Sequence, residues 1–146
     1  MNEVVILAEI AGRPCAFRAS EVETVIELET VTPIPRAAPH VLGLTALRSQ
    51  AMTVLDCRLI VKAEASEFAT DSRAAVVRVD GHSYALCVDK VRDVSSMSNE
   101  PVQIAGGFGK IWSNFSEGMI ETENGPVLLL SACKLIASSE EAQFAA

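Results

Sequence analysis

The feature that most constrains this chain is the recurrence of short apolar runs separated by tight-turn signals. In the clearest case, residues 74–79 and 83–88 are rich in Val, Ala and Leu, and Asp80-Gly81 lies between them. An Asp-Gly pair supplies the positive φ angles of a two-residue turn, so this segment predicts a β-hairpin. A succession of such hairpins predicts an all-β fold.

Three further hairpins are predicted from the same pattern. They join residues 4–10 to 15–17, residues 41–48 to 52–56 with a turn near Ser49-Gln50, and residues 118–122 to 127–130. Closure into barrels removes exposed strand edges, and two small barrels fit 146 residues better than one large barrel. The sequence therefore predicts two small β-barrels.

Helical and irregular segments are expected between the hairpins. Ser20 and Glu23 have the spacing of a capping box, which predicts a helical turn with Val22, Val25 and Ile26 on one face. A short helical or irregular turn is expected at residues 59–61, and a helical segment is expected after Ser131. Little regular structure is expected from residue 91 to 109. Residues 63–72 are expected to form a mobile surface loop, and residues 138–146 a frayed tail.

Charge and hydropathy exclude several function classes. The chain has 12 Lys and Arg against 19 Asp and Glu, a formal charge of −7, so its field repels nucleic acid. Apolar runs such as residues 127–130 are far shorter than the roughly 18 residues of a membrane span, so no direct membrane insertion is expected. The N-terminus shows no secretory signal, which predicts a cytoplasmic location.

Motifs for cofactors and metals are weak. Four separated cysteines (Cys15, Cys57, Cys87 and Cys133) are expected to be buried free thiols, and His40 and His82 to be surface turn residues. The glycine cluster at residues 106–109 lacks the spacing of a phosphate-binding loop and is expected to be a mobile loop. The sequence thus implies no metal site and no cofactor.

Asp56 and Asp89 are the one pair that invites an enzymatic interpretation. Each follows an apolar strand, and two carboxylates can act as general acid and base. An Asp at a strand end also commonly accepts hydrogen bonds from backbone N–H groups of the following turn. The structural role is favoured, since no nucleophile or metal set accompanies the pair.

The order of motifs through the chain resembles that of CheW-like domains. A proline loop (residues 32–39) precedes Val41-Leu42-Gly43 and Leu47-Arg48, and Thr53-Val54-Leu55-Asp56-Cys57-Arg58 follows. The resemblance continues through residues 86–91, similar to the family's L-x-V-D-x-V strand, and reaches residues 128–136. It covers nearly the whole chain.

This resemblance implies a single domain over residues 1–146, built from two packed five-stranded SH3-like barrels with short helical segments. It also implies a non-enzymatic adaptor that couples the cytoplasmic tip of chemoreceptors to the regulatory domain of a histidine kinase. Two positions depart from the family pattern, Ala46 for Asn and Ser49 for Gly. They leave open an alternative, a CheW-like module acting outside chemotaxis as a competing or ligand-responsive regulator of a histidine kinase.

Carried over by motif, the resemblance also implies site residues. The receptor-binding residues would be Val22, Thr24, Gly43, Arg48, Val88 and Val91, and the kinase-binding residues would be Leu28 and Val41. Arg48 is the expected anchor, because its guanidinium can hold a carboxylate or an amide with two hydrogen bonds. For Arg48 the structural alternative is a salt bridge between the lobes, and for the valines it is ordinary core packing.

Overall fold

The structure is a computed structural model that describes residues 3–61, 73–103 and 109–137. Within these ranges the chain forms ten strands, two short helices and a third helical segment at the end of the described residues. In chain order they are β1 (Glu3–Ile10), β2 (Arg13–Arg18), β3 (Val22–Glu27), β4 (Val41–Leu47), β5 (Gln50–Asp56), α1 (Cys57–Ile60), β6 (Arg73–Val79), β7 (His82–Cys87), β8 (Lys90–Met97), α2 (Lys110–Ser113), β9 (Ser116–Thr122) and β10 (Gly125–Leu130). Residues 132–137 are also helical.

The strands form two five-stranded sheets, which agrees with the five-stranded lobes that the family resemblance implied. The first has the order β8-β1-β2-β10-β9 and the second β3-β6-β7-β5-β4. Neighbouring strands are antiparallel except for β2 with β10 and β5 with β7, which are parallel. We call these sheets, with their adjoining helices, the first and second lobes.

The two halves of the chain repeat one topology and exchange one strand each. In each half a hairpin is followed by a crossover strand, a second hairpin and a short helix. The crossover strand of the first half, β3, pairs with β6 of the second lobe. That of the second half, β8, pairs with β1 of the first lobe. The lobes are therefore interlocked and not simply strung together.

Alternate residues of the central strands belong to different hydrophobic clusters. In β10, Val127 and Leu129 lie in a cluster confined to the first lobe. Leu128 and Leu130 lie in a larger cluster that also contains Leu86 of the second lobe. Because successive side chains of a strand point to opposite faces, each central strand is buried on both faces. One face fills its own lobe and the other forms the joint between the lobes.

Two predictions of local structure were wrong. The predicted helical turn around Val22, Val25 and Ile26 is the strand β3. The segment expected to be largely irregular after residue 91 contains the eight-residue strand β8. Both segments are the crossover strands, which pair with the other half of the chain, so their local sequence carries little of the signal.

Other predictions were confirmed. The four hairpins are present, α1 lies close to the predicted turn at residues 59–61, and Ser131 Oγ accepts a hydrogen bond from Lys134 N at 3.3 Å. The predicted loops at residues 63–72 and 106–109 and the predicted tail at 138–146 lie wholly or almost wholly outside the described residues. Across the described part of the chain, no helix is long and apolar enough to cross a membrane.

Candidate protein interaction site

The β4–β5 hairpin carries Arg48 at its tip. Leu47 pairs with Gln50, so the turn consists of Arg48 and Ser49, one residue earlier than predicted. Both turn residues have positive φ angles, 52° and 67°, as a type I′ turn requires. The Arg48 side chain is exposed, and no ion pair within the described residues holds it. The turn therefore presents a free guanidinium to solvent.

The packing of the proline loop against the same hairpin explains why position 43 is a glycine. Leu44 and Thr32 exchange two backbone hydrogen bonds of 2.8 Å, which bring the proline loop against β4. A Cβ atom on Gly43 would lie 2.2 Å from the carbonyl oxygen of Thr32. Any other residue would displace the loop, so the glycine is required whether or not a partner touches it.

The predicted valines lie in or against the joint between the lobes. Val88 and Val91 are 1% and 7% exposed, and both belong to the shared cluster, as does the kinase-binding candidate Val41. Val22 is half-buried against the same cluster. The structure thus brings these four side chains into one core.

The remaining predicted residues lie nearer the surface. Thr24 is exposed on β3. Leu28, just beyond β3, is half-buried against the inner cluster of the second lobe. Of the predicted residues, Thr24 and Arg48 are the two with exposed side chains.

The salt bridge between the lobes is made by Arg58, a residue that sequence analysis had not singled out for this role. Arg58 Nε lies 3.6 Å from Asp89 Oδ1 and 3.8 Å from Asp56 Oδ1. Asp89 Oδ2 also accepts a hydrogen bond of 2.9 Å from the backbone N–H of Gly12, in the β1–β2 turn. These side chains join the second lobe to the first. The sequence feature that could have indicated this role is the position of Arg58 in the motif Asp56-Cys57-Arg58.

The two aspartates have the structural role that was favoured over acid–base chemistry. Asp56 Oδ1 accepts the backbone N–H of Arg58 at 3.0 Å and caps α1, while Asp89 accepts that of Gly12. Both carboxylates also flank the Arg58 guanidinium. Both carboxylates therefore have structural contacts within the fold.

Three of the four cysteines are buried as predicted. Desolvation raises the pKa of the Cys87 thiol to about 12, and it raises the pKa of Cys15 and Cys57 as well. These thiols stay protonated at neutral pH and pack as small hydrophobic groups. The prediction was wrong for Cys133, which is exposed.

The prediction that both histidines lie at the surface was right for His82 and wrong for His40. His82 is exposed at the start of β7, as expected. His40 is only 7% exposed, contrary to prediction, because the proline loop folds against β5 and the His40 carbonyl accepts the N–H of Asp56 at 2.8 Å. In the described ranges, no three His, Cys, Asp or Glu side chains are grouped to hold a metal ion.

An open groove lies between β3 and β4, the two edge strands of the second sheet. Its volume is about 790 Å³. The lining residues come from the end of β3, the following loop and the β4–β5 hairpin; they are Ile26, Glu27, Glu29, Thr30, Thr32, Leu44, Thr45, Ala46, Leu47 and Ala51. Most of its exposed surface is apolar. The groove includes one of the two positions that depart from the family pattern, Ala46.

Comparisons with known proteins agree with this architecture. A curated relative, chemotaxis protein CheW of Rhizobium meliloti, is 25% identical over 138 residues, which cover 86% of this chain and 87% of that protein. The solved structure of the scaffolding protein TtCheW from Thermoanaerobacter tengcongensis matches with a TM-score of 0.78 at 19% identity, with 90% of each chain covered. At that identity the likeness shows the fold alone.

The family model settles the assignment, because it spans almost the whole chain. The model described as CheW-like domain matches residues 4–140. This chain therefore belongs to the CheW-like domain family.

Proposed function

We propose that this chain is a cytoplasmic, non-enzymatic adaptor that couples chemoreceptors to a histidine kinase in a bacterial chemosensory array. The observation that carries the proposal is the family match over residues 4–140, together with the chemotaxis protein CheW as a relative along nearly the whole chain. Action by binding is supported by the site itself, since Asp56 and Asp89 are engaged with Arg58 and with backbone N–H groups.

We assign two neighbouring exposed features of the second lobe to the two partners. The receptor contact is assigned to Arg48 at the tip of the β4–β5 turn, with Thr24 of β3 as a second exposed contact. Val88 and Val91 belong to the cluster shared by the lobes, Val22 packs against that cluster, and Gly43 allows the proline loop to approach β4. The kinase contact is assigned to the groove between β3 and β4, which begins beside Leu28. Val41, the other predicted kinase-binding residue, lies in the cluster shared by the lobes.

The receptor assignment is tested by the substitution Arg48→Glu. Removing an arginine anchor typically costs about 2 kcal/mol or more of binding free energy. We expect Arg48→Glu to lose most co-sedimentation with receptor-bearing membranes and to keep its affinity for the kinase regulatory domain. Lys134→Glu makes the same charge change at an exposed position in the helical residues 132–137, and we expect it to retain both interactions.

The possible outcomes separate the site from the function. Full receptor association by Arg48→Glu would overturn the assignment of Arg48 while leaving the adaptor function in place. Binding to a histidine kinase by the wild-type protein without any receptor association would overturn the coupling function. It would favour the regulator outside chemotaxis instead.

A further inference from the structure

The two connections that carry the chain from one lobe to the other occupy equivalent places in the repeated topology. One runs from β2 to β3 and the other from β7 to β8. Val22 of β3 and Val91 of β8 are equivalent residues, since each pairs with the first strand of the other half of the chain. Two residues before each of them lie Ser20 and Asp89. Ser20 therefore has the place in the first connection that Asp89 has in the second.

The short helices that end the two halves are equivalent in the same way. Asp56 lies directly before α1 and caps it, and Ser131 lies directly before the helical residues 132–137. The second residue after the cap is Arg58 in the first half and Cys133 in the second. Cys133 therefore has the place of Arg58.

The ion pair between Arg58 and Asp89 thus has a neutral counterpart, Cys133 and Ser20. An open cavity of about 360 Å³ lies there, and both residues line it. Serine and cysteine are shorter than aspartate and arginine, so the space that the ion pair fills at one end of the joint is left open at the other. We call these the ion-paired end and the open end.

Polar contacts cross the joint at the ion-paired end. Asp89 Oδ2 accepts the N–H of Gly12 in the first lobe at 2.9 Å, while its Oδ1 lies 3.6 Å from Arg58 Nε in the second lobe. The Arg73 guanidinium of β6 in the second lobe also donates to the carbonyl of Val91, on β8 of the first, at 2.9 Å. Hydrogen bonds and ion pairs are directional, so these contacts fix how the lobes are oriented at this end.

The corresponding contacts at the open end reach only one lobe. The Glu21 carboxylate accepts the N–H groups of Ala132 and Cys133, and both belong to the helical segment of the first lobe. Gly81, in the β6–β7 turn of the second lobe, is the counterpart of Gly12. Among the described residues, no hydrogen bond joins Gly81 to Ser20 or Glu21. The open end therefore lacks the tie to the second lobe that Asp89 provides at the ion-paired end.

We propose that the two lobes rock about the ion-paired end, so that the cavity at the open end widens and narrows while both sheets stay intact. The apolar cluster that the lobes share is held by hydrophobic contact, which is not directional and permits small sliding of packed surfaces. The ion pair between Arg58 and Asp89 acts as the pivot. A partner that binds one orientation of the lobes more tightly shifts this equilibrium.

The test measures the distance between two spin labels across each end by electron paramagnetic resonance. The reference protein carries Cys133→Ser, which removes the one of the four cysteines that is exposed. Labels at Arg78→Cys and Lys134→Cys, both exposed positions, span the open end. Labels at Leu59→Cys of α1 and Arg92→Cys of β8 span the ion-paired end. We expect the distance distribution across the open end to be at least about twofold broader.

Installing the missing ion pair tests the cause of the motion. The variant Ser20→Asp/Cys133→Arg places at the open end the two residue types of the ion-paired end, and we expect it to narrow the open-end distribution to the width found at the ion-paired end. A matched control is Ser49→Asp/Gln50→Arg, which adds the same two charges on exposed residues at the β4–β5 turn. We expect this control to leave both distributions unchanged.

The reciprocal variant, Arg58→Ser/Asp89→Ser, removes the ion pair from the other end. We expect it to broaden the distribution between the labels at positions 59 and 92 by at least about twofold. Circular dichroism and Trp112 fluorescence check that each variant is folded.

Equal widths at the two ends of the reference protein would overturn the proposal, because the lobes would then be held alike at both. An open-end distribution that stays broad in Ser20→Asp/Cys133→Arg, or that narrows equally in the control, would overturn the role of the missing ion pair. If one of the two joint variants does not fold, the other decides. An ion-paired end that stays narrow in Arg58→Ser/Asp89→Ser would overturn the pivot.

Discussion

At the scale of single residues, the β4–β5 turn combines backbone strain with exposure. Arg48 and Ser49 both adopt positive φ angles, at 52° and 67°, although neither is Gly, Asn or Asp. A residue with a Cβ pays roughly 1–2 kcal/mol in this conformation. The comparable turn in the β6–β7 hairpin uses Asp80-Gly81, so the cost at Ser49 is not imposed by the fold class.

We predict that Ser49→Gly raises the free energy of unfolding by about 1 kcal/mol, because glycine adopts a positive φ without a steric penalty. Denaturant unfolding followed by fluorescence of Trp112, the single tryptophan, measures the change. Ala51→Gly is the control, since Ala51 is exposed within β5 and glycine there should cost about 0.5–1 kcal/mol. Equal destabilisation by both substitutions would contradict the prediction.

The sequence located several of these residues without giving the reason for each. The motif indicated Gly43, but only the structure shows that a Cβ would meet the Thr32 carbonyl. It also indicated Val88 and Val91 as contacts, whereas their side chains fill the joint between the lobes. A motif marks a position, and burial depends on strands that are distant in sequence.

At the scale of elements, the crossover strands and their anchors were the part that local sequence could not predict. Ser20 and Glu23 have the spacing of a helix cap, yet the chain there passes into β3. The neighbouring Glu21 accepts hydrogen bonds from the backbone N–H groups of Ala132 and Cys133, at the start of a different helical segment. The β-hairpins were predicted because their pairing is local, and β3 and β8 were missed because theirs is not.

The Asp89 side chain shows how one group ties three elements together. It accepts the Gly12 N–H from the β1–β2 turn, pairs with Arg58 at the start of α1 and stands between β7 and β8. Its side chain is 20% exposed, so water only partly replaces a lost partner. Removing it would leave the Arg58 charge and the Gly12 N–H less well satisfied in a partly buried position.

We predict that Asp89→Ala lowers the free energy of unfolding by about 2 kcal/mol. Asp93→Ala, on an exposed aspartate of β8, removes the same charge and should change stability by less than about 0.5 kcal/mol. Chemical denaturation with Trp112 as the probe compares the two variants. Similar values for both would show that the Arg58–Asp89 pair does not hold the lobes together.

At the scale of the whole molecule, the exchange of β3 and β8 makes each lobe incomplete without the other half of the chain. The second sheet needs β3 from the first half, and the first sheet needs β8 from the second half. The largest cluster draws side chains from both sheets, including Phe17 and Leu86. The sequence predicted two barrels, but hairpins alone could not show that they are interlocked.

Interlocking predicts a single cooperative unfolding transition. The chain has one tryptophan and one tyrosine. Trp112 lies in the first lobe, with the Arg13 guanidinium 4.9 Å from its ring, and Tyr84 lies on β7 in the second lobe. Fluorinated tryptophan and tyrosine each give one fluorine NMR signal, so the two lobes can be followed separately. The native-state signals of Trp112 and Tyr84 are expected to disappear at the same denaturant concentration.

The substitution Val76→Ala tests whether destabilising the second lobe also destabilises the first lobe. Val76 lies in the inner cluster of the second lobe, and truncating it should lower the free energy of unfolding by about 2 kcal/mol. Because the lobes share strands and a core, the Trp112 signal in the first lobe should shift to the same new midpoint as the Tyr84 signal. A shift confined to Tyr84 would mean that the lobes unfold independently.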